Sequence, residues 1–168
     1  MTPFDRLLAG ALAVCALLAI CPAPATPASV EEVSGKVIGV TDGDTIEVLV
    51  DRTPMKVRLQ GIDAPEQGQD YGQRAKHFVS AQCFGKPVVV SVLGKDRYGR
   101  VLGDVALSDG RVLNHEIVQA GLAWWYQQYA PRDDLLRRLQ EEARTAKRGL
   151  WGMPNPTPPW EWRHRKRK

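Results

Sequence analysis

The chain has 168 residues, three cysteines and a formal net charge of +4. Its length is sufficient for one domain with a real core but not comfortably for two. The positive charge is local, because five of the 23 Lys and Arg residues lie in residues 163–168 and the other 18 are balanced by 19 acidic residues. The body of the protein is therefore nearly neutral, and its basic character belongs to the C-terminal tail.

Residues 1–25 have the order of a secretory signal peptide. Arg6 precedes an apolar run at residues 7–20, and small-residue cleavage sites end at Ala25 and Ala28. This order predicts removal after one of those two alanines and export to the periplasm or the medium. A membrane span would need about 20 apolar residues, and prolines interrupt this run too early. We therefore expect no membrane span after cleavage.

The cysteines predict an exported protein without an internal disulfide. Cys15 and Cys21 would leave with the signal, and Cys83 would remain alone. Cys83 lies in a helix-like stretch, where a small buried hydrophobic residue is expected. A lipid anchor on Cys21 is an alternative, although Ile20 stands where such signals normally carry a small residue.

The first part of the expected mature chain has the alternation of β-strands. Apolar residues alternate with polar residues over 34–50, with an acidic turn in the middle, and again over 55–62. In the later run Val57 and Leu59 face one way and Arg58 faces the other. The pattern predicts three strands, with Arg58 pointing away from the buried layer.

A helix, two strands and two further helices are expected next. The first helix ends before Gly85, and the strands occupy residues 88–92 and 101–107. Asn114 is the expected cap of a short second helix, and the third begins near Asp133. The apolar face of this third helix is expected to comprise Leu135, Leu139, Ala143 and Ala146.

These elements indicate an α+β fold. Five strands in two groups, one helix between the groups and two helices after them predict a five-stranded OB-fold antiparallel β-barrel capped by three α-helices. The domain is expected to span residues 30–152. Residues 153–168 are interpreted as a flexible Pro-rich linker and basic tail.

Acidic residues and arginines occur together in three short stretches, at residues 42–45, 58–66 and 96–100. Carboxylates can hold a hard cation and guanidinium groups can hold a phosphate, so their convergence would suit cleavage of a phosphodiester bond. Each stretch alone is also ordinary turn material. Together at one end of a barrel, three acids and two arginines would be costly unless something bound there.

The donor atoms favour Ca2+ over Zn2+. Side-chain oxygens of Asp44 and Asp63, with a backbone carbonyl, would form a hard, oxygen-only and partly open site. The three histidines offer no competing cluster, because they are scattered along the sequence. The three stretches therefore indicate a metal-dependent nuclease.

In order and spacing these stretches resemble the staphylococcal (micrococcal) nuclease, or thermonuclease, family. The resemblance runs from about Val33 to Trp151 and includes the helix over residues 114–122 and the closing Lys-Arg-Gly-Leu-Trp sequence at 147–151. It implies an OB-fold barrel, dependence on Ca2+, and hydrolysis of DNA and RNA to products that end in a 3′-phosphate. We expect these nucleic acids as substrates of a monomer that needs no protein partner.

The resemblance implies which residues would hold the metal. Asp44 and Asp63 match the calcium-ligating aspartates of the family, and Ala64 stands where the family supplies a backbone carbonyl. The staphylococcal member has a threonine at that position. A backbone carbonyl is unaffected by this change, so the ligand set is retained.

The resemblance also implies catalytic and substrate-binding residues. Arg58 and Arg100 match the two arginines that grip the scissile phosphate, and Glu66 matches the proposed general base, although it could chiefly orient the attacking water. Tyrosines after the second helix contact the nucleotide in this family, and a base stacked on an aromatic ring gains about 1–3 kcal/mol. The candidate substrate-binding residues are Tyr98, Tyr126 and Tyr129.

The C-terminal tail is interpreted as an accessory outside the active site. Each Lys or Arg that meets a phosphate adds a salt-dependent increment to nucleic-acid affinity. Trp160 and Trp162 lie next to this basic run. The sequence leaves open whether they cover the barrel or help to hold nucleic acid.

Two other functions are open at this point. The first is a non-catalytic nucleic-acid-binding OB-fold domain, since this barrel is also used purely for binding. A domain that only binds nucleic acid is expected to lack some of the acidic residues, whereas the acids and arginines are all present here. The second is an exported interaction module whose charges only form its surface.

Overall fold

The computed structural model describes residues 30–166. The predicted signal peptide, its cleavage sites and Cys21 lie outside these residues. The described part of the chain forms a closed five-stranded barrel, a separate two-stranded sheet and four α-helices. The predicted α+β fold with a five-stranded barrel is therefore confirmed, with one helix more than the three expected. Within residues 30–166, no helix is both long enough and apolar enough to cross a bilayer.

The strands of the described chain, in sequence order, are β1 (Glu31–Val40), β2 (Thr45–Val50), β3 (Thr53–Leu59), β4 (Ile62–Asp63), β5 (Pro87–Lys95), β6 (Val101–Leu107) and β7 (Trp124–Trp125). The barrel order is β1-β2-β3-β6-β5, and β5 closes it by pairing with β1. Neighbouring barrel strands are antiparallel except β3 and β6, which run parallel. The short strands β4 and β7 pair with each other beside the barrel.

The barrel core follows from the alternation of side chains along the strands. Every second residue of β6 is buried, from Val101 to Leu107. In β3, Val57 and Leu59 are buried, and Arg58 between them points to the other face because successive side chains alternate. The orientation predicted for Arg58 is confirmed.

Helices cover the barrel and extend its core. They are α1 (Gly72–Cys83), α2 (Leu113–Gln119), α3 (Asp134–Thr145) and α4 (Pro159–Lys166), with a short 3-10 helix at Gly149–Gly152. Cys83 is fully buried in the same hydrophobic cluster as the barrel strands, as the sequence predicts. Asp133 caps α3 by accepting a hydrogen bond from the Leu136 N–H. The apolar face predicted for α3 is partly wrong, because Leu135 is exposed and Leu136 is buried instead. Ala146 is also exposed and lies just after the helix.

Asn114 is not a helix cap; it is a buried residue whose side chain hydrogen-bonds to neighbouring elements. It lies inside α2, and the cap position belongs to Val112. Its Oδ1 accepts a hydrogen bond from the Val105 N–H at 3.1 Å, and its Nδ2 donates to the Gln60 carbonyl at 3.0 Å. Nδ2 also donates to Oδ1 of Asp104 at 2.9 Å. Asn114 therefore ties α2 and β6 to the turn that follows β3.

The C-terminal segment differs from its prediction. Residues 153–158 contain no helix or strand, as the prolines suggest, but α4 follows immediately. The Thr157 carbonyl accepts a hydrogen bond from Nε2 of Gln69 at 2.7 Å. This contact holds the segment against the loop before α1 and directs α4 toward the barrel.

Replacing Asn114 with alanine should destabilise the fold strongly. The change leaves the buried Val105 N–H and the partly buried Gln60 carbonyl without their partner, and an unsatisfied buried group costs about 1–3 kcal/mol. We expect a loss of about 3 kcal/mol in the free energy of unfolding, measured by urea denaturation. Gln119→Ala is the matched control, because Gln119 is an exposed amide on the same helix. Equal stability of the two variants would contradict the assigned role.

Candidate active site

The pairing of β2 and β3 brings Asp44 close to Arg58. Thr45, the first residue of β2, lies opposite Arg58 in β3. The backbone carbonyl of Asp44 accepts a hydrogen bond from the Leu59 N–H at 2.8 Å. Asp44 therefore lies at the rim of the barrel, one residue before the strand partner of Arg58.

A tight turn after β3 returns the chain to Arg58. Gly61 has a φ of +74°, a left-handed conformation that glycine adopts without steric cost. The two-residue strand β4 follows, and Asp63 within it pairs with Trp124 of β7. The turn and this pairing together place Asp63 beside Arg58.

A single guanidinium contacts both aspartates. Nη1 of Arg58 lies 3.0 Å from Oδ2 of Asp44, and Nη2 lies 3.0 Å from Oδ1 of Asp63. The side chains are largely buried, with 14% of Arg58 and 1% of Asp63 exposed. The first two acidic stretches of the sequence thus meet at one point of the structure.

The turn that carries Asp44 packs tightly against its neighbours. Oδ2 of Asp44 accepts a hydrogen bond from the Ala64 N–H at 2.7 Å, and Oδ1 accepts one from Oγ1 of Thr45 at 3.1 Å. A Cβ atom on Gly43 would lie 2.7 Å from the Cβ atoms of both Ala64 and Ala75. Glycine is needed here because the turn approaches both alanines so closely.

Burial makes the ionised aspartates unfavourable. It raises the pKa of Asp44 to about 6, against the opposing effect of Arg58 and with a further increase from the neighbouring Asp42. Burial also raises the pKa of Asp63, against the hydrogen bonds that Arg163 donates. Even with two guanidinium partners, the site therefore favours additional positive charge.

Arg100 is positioned by its own loop between β5 and β6. Oδ1 of Asp96 accepts hydrogen bonds from the backbone N–H groups of Tyr98 and Arg100, and its Oδ2 lies 2.7 Å from Nε of Arg100. Nη1 of Arg100 lies 3.4 Å from Oγ1 of Thr45. Asp96 therefore holds the second predicted arginine next to the residue that follows Asp44.

Glu66 and Asp63 share a partner that the sequence analysis missed. Nη1 of Arg163 in α4 lies 2.6 Å from Oε1 of Glu66, and Nη2 lies 2.7 Å from Oδ2 of Asp63. The prediction that the basic tail lies outside the site is wrong for this residue. Its partners are 97 and 100 positions away in the sequence, and no local pattern distinguishes Arg163 from the basic residues around it.

The predicted site residues line one cleft of about 690 Å3. The Tyr126 ring stacks flat on Trp160, with a centroid separation of 5.1 Å, and meets Tyr129 edge-on at 4.8 Å. Tyr98 lies on the Arg100 loop and is mostly exposed. The three candidate tyrosines thus border the same space as the acids and arginines, and Trp160 is a further aromatic residue that the sequence did not assign.

The oxygen atoms of this site fit a hard cation. Among residues 30–166, no group of three or more acidic, histidine or cysteine side chains could hold a metal ion. A cation here would take the carboxylates of Asp44 and Asp63, a backbone carbonyl and oxygens from solvent or substrate, which is an arrangement that Ca2+ accepts. The positively charged guanidinium of Arg58 already lies between the carboxylates of Asp44 and Asp63, so positive charge is favourable at this position.

The barrel and its acidic, arginine-lined cleft define an OB-fold domain with the groups expected of a phosphodiesterase. The family model described as staphylococcal nuclease homologue matches residues 56–153. An Escherichia coli protein described as an uncharacterized endonuclease is 48% identical over 140 residues, which is 83% of this chain and 91% of that protein. The micrococcal nuclease of Shigella flexneri is 42% identical over 138 residues, which is 77% of this chain and 79% of that protein. The chain belongs to the staphylococcal nuclease family.

A third relative extends the similarity over nearly the whole chain. Protein ParB of Escherichia coli is 39% identical over 166 residues, which is 94% of this chain and 90% of that protein. The family resemblance predicted from the acidic turns and arginines is therefore confirmed.

Asp44→Asn should stabilise the metal-free protein at neutral pH. The folded state holds the Asp44 proton more tightly than the unfolded chain, because burial raises the pKa from 3.8 to about 6. Stability from this group is therefore lost as the pH rises through that interval, and asparagine avoids the loss. We expect a gain on the order of 2 kcal/mol at pH 8 that vanishes near pH 4, measured by urea unfolding without divalent cations.

Asp96→Asn is the control, because its expected effect on stability at pH 8 is opposite to that of Asp44→Asn. Slight burial raises the pKa of Asp96, but hydrogen bonds from Arg100 and Tyr98 outweigh it and lower the pKa overall. Its ionised form therefore favours folding, and asparagine should reduce stability at pH 8. A destabilised Asp44→Asn variant at pH 8 would contradict the conclusion that burial dominates the energetics of Asp44.

Proposed function

We propose that the protein is an exported, Ca2+-dependent nuclease that hydrolyses phosphodiester bonds of DNA and RNA to products ending in a 3′-phosphate. Membership of the staphylococcal nuclease family supports a nuclease. The observation that carries the proposal is the bridge that Arg58 makes between Asp44 and Asp63. It joins two candidate metal ligands and a phosphate-binding group at one point.

Asp44, Asp63 and the backbone carbonyl of Ala64 would hold Ca2+. When bound, the ion would supply positive charge beside the scissile phosphate and the attacking water. Both aspartates must be ionised to act as ligands. Their raised pKa values mean that they reach this state more readily beside a cation.

Arg58 and Arg100 bind the scissile phosphate in this proposal. In-line attack of water on phosphorus breaks the bond to the 5′ oxygen and leaves the phosphate on the 3′ side. Negative charge grows on the equatorial phosphate oxygens during this step, and the two guanidinium groups oppose it. The ion pair with Asp96 fixes the direction of Arg100.

Glu66 acts on the attacking water. It lies on the loop after Asp63, and its side chain is 37% exposed, so solvent can reach it. In the proposed reaction it accepts a proton from the water or holds the water in line with the phosphate. This role requires that the Glu66 carboxylate be free of Arg163 during turnover.

A cleavage assay with purified protein tests the proposal. We expect cleavage of DNA and RNA oligonucleotides with Ca2+, loss of cleavage with a chelator, and products whose mobility changes after treatment with a phosphatase specific for 3′-phosphates. Arg100→Ala should lower the rate by about 10³-fold or more, since a guanidinium facing phosphoryl charge contributes 10³–10⁵ in related reactions. Arg58→Lys should also be impaired, because lysine lacks the two-pronged geometry.

Arg137→Ala is the matched control for the arginine variants. Arg137 is exposed on α3 and pairs with Asp134 and Glu141 away from the cleft, so its removal should leave the rate nearly unchanged. Protection of nucleic acid without cutting would favour the non-catalytic binding domain instead. Full activity of Arg100→Ala would exclude its catalytic role.

Export is proposed from the sequence of residues 1–25 alone. The mature protein should begin at Thr26 or Ser29, after cleavage behind Ala25 or Ala28. N-terminal sequencing of protein recovered from the periplasm and the medium measures this directly. Recovery of a lipid-modified chain beginning at Cys21 would support the anchored alternative, and an intact Met1 in the cytoplasm would contradict export.

A further inference from the structure

Helix α4 places a guanidinium on the carboxylates of the candidate active site. Arg163 contacts both oxygens of Asp63, with Nη2 2.7 Å from Oδ2 and Nη1 3.2 Å from Oδ1. The same Nη1 lies 2.6 Å from Oε1 of Glu66. Burial lowers the pKa of Arg163, but these hydrogen bonds outweigh it and raise the pKa overall. One side chain thus neutralises a candidate metal ligand and the candidate general base.

Arg163 and a divalent cation would require the same oxygens. Oδ2 of Asp63 accepts its hydrogen bond from Arg163, and Oδ1 is shared between Arg163 and Arg58. A metal ligand must offer a lone pair to the ion, and a water-activating carboxylate must offer one to the water. The contacts of Arg163 therefore compete with the proposed use of Asp63 and Glu66.

The same helix covers an aromatic surface of the cleft. The Trp160 ring stacks on Tyr126 with an angle of 2° between the planes, and it meets Trp124 edge-on at 5.7 Å. Tyr126 is one of the predicted nucleotide-contacting residues. Helix α4 thus covers one face of this ring while it occupies the carboxylates.

The helix has an anchor that does not involve the site side chains. Nε2 of Gln69 donates to the Thr157 carbonyl, and its Oε1 accepts from the Glu66 N–H at 3.1 Å. Thr157 lies two residues before α4 begins. This anchor precedes the helix, so a movement of α4 away from the cleft would not require the anchor to break.

We propose that α4 is an autoinhibitory cap of the metal-free protein, in which Arg163 is the internal counter-ion of Asp63 and Glu66 and is displaced when a divalent cation binds. This inference rests on the proposed metal-dependent function. Displacement frees Glu66 and uncovers Tyr126 in a single movement. It also releases the guanidinium of Arg163 from Asp63 and Glu66, and this group can then contact a phosphate of the nucleic acid.

Capping lowers the apparent affinity for the cation. When the competent state is only a fraction of the molecules, the observed dissociation constant is the intrinsic value divided by that fraction. A cap that is open in about one molecule in ten would weaken apparent binding about tenfold. Variants that remove the cap should therefore regain this tenfold in apparent affinity for the cation.

Calcium binding to the full-length chain, measured by calorimetry, tests the cap. We expect Arg163→Gln to bind Ca2+ about tenfold more tightly than the unmodified protein. Arg165→Gln is the matched control, because Arg165 is an exposed arginine on the same helix that pairs only weakly with Glu161, at 3.8 Å. It should bind Ca2+ as the unmodified protein does.

A second variant separates uncapping from simple loss of charge. Trp160→Ala keeps every charge but removes the stacking that holds α4 on Tyr126. It should also bind Ca2+ several-fold more tightly. In the unmodified protein, Ca2+ should accelerate hydrogen exchange at the amides of Glu161 and Trp162, which donate to the Pro158 carbonyl in the first turn of α4.

The outcomes for the cap and for the nuclease are distinct. Equal Ca2+ affinity of Arg163→Gln and Arg165→Gln, or tighter binding by Arg163→Gln but not by Trp160→Ala, would overturn the cap. Ca2+-dependent cleavage alongside that result would leave the proposed nuclease standing. Tighter Ca2+ binding by both uncapped variants without any cleavage would support the cap and overturn the nuclease. Absence of Ca2+ binding in all variants would overturn both.

Discussion

The site depends on two buried aspartates that must lie within reach of one guanidinium. Placing carboxylates in a low-dielectric interior is costly unless opposite charge and hydrogen bonds compensate them. Arg58 provides part of that compensation for Asp44 and Asp63, and three features of the fold make the geometry possible. These are the pairing of Thr45 with Arg58, the left-handed turn at Gly61, and the pairing of β4 with β7. The barrel rim is therefore organised around charge as much as around its apolar core.

The arginines compensate the buried negative charge of the two aspartates only in part. Burial raises the pKa values of Asp44 and Asp63 although guanidinium groups contact both. A site with this residual demand for positive charge favours a cation over a neutral ligand. The fold meets part of this demand with Arg163 of its own C-terminal helix. In the proposed function, an external ion would meet the same electrostatic demand as this internal arginine.

The sequence predicts most of the fold but only part of the site, because most signals within it are local. Alternation along β3 correctly orients Arg58, and the Asp133 cap correctly starts α3. The pattern cannot reveal a partner 100 positions away, so Arg163 is missed. Asn114 is misjudged for the same reason, because its hydrogen bonds to Val105 and Gln60 depend on tertiary packing. Where the sequence does predict long-range convergence, it does so through the combination of three acidic stretches with two arginines and through family resemblance.

The two arginines on Asp63 differ in how firmly the chain holds them. Arg58 lies on β3, which is paired on one side with β2 and on the other with β6, so moving its backbone would break barrel pairings. Arg163 lies on an eight-residue helix near the end of the described chain. Isolated helices of this length are marginal in water, so α4 depends on its contacts with the cleft. Local stability varies across a fold, and an element held mainly by side-chain contacts opens at lower cost than a strand paired on both sides in a barrel. Arg58 is therefore suited to remain in the site throughout a reaction, and Arg163 is suited to leave it.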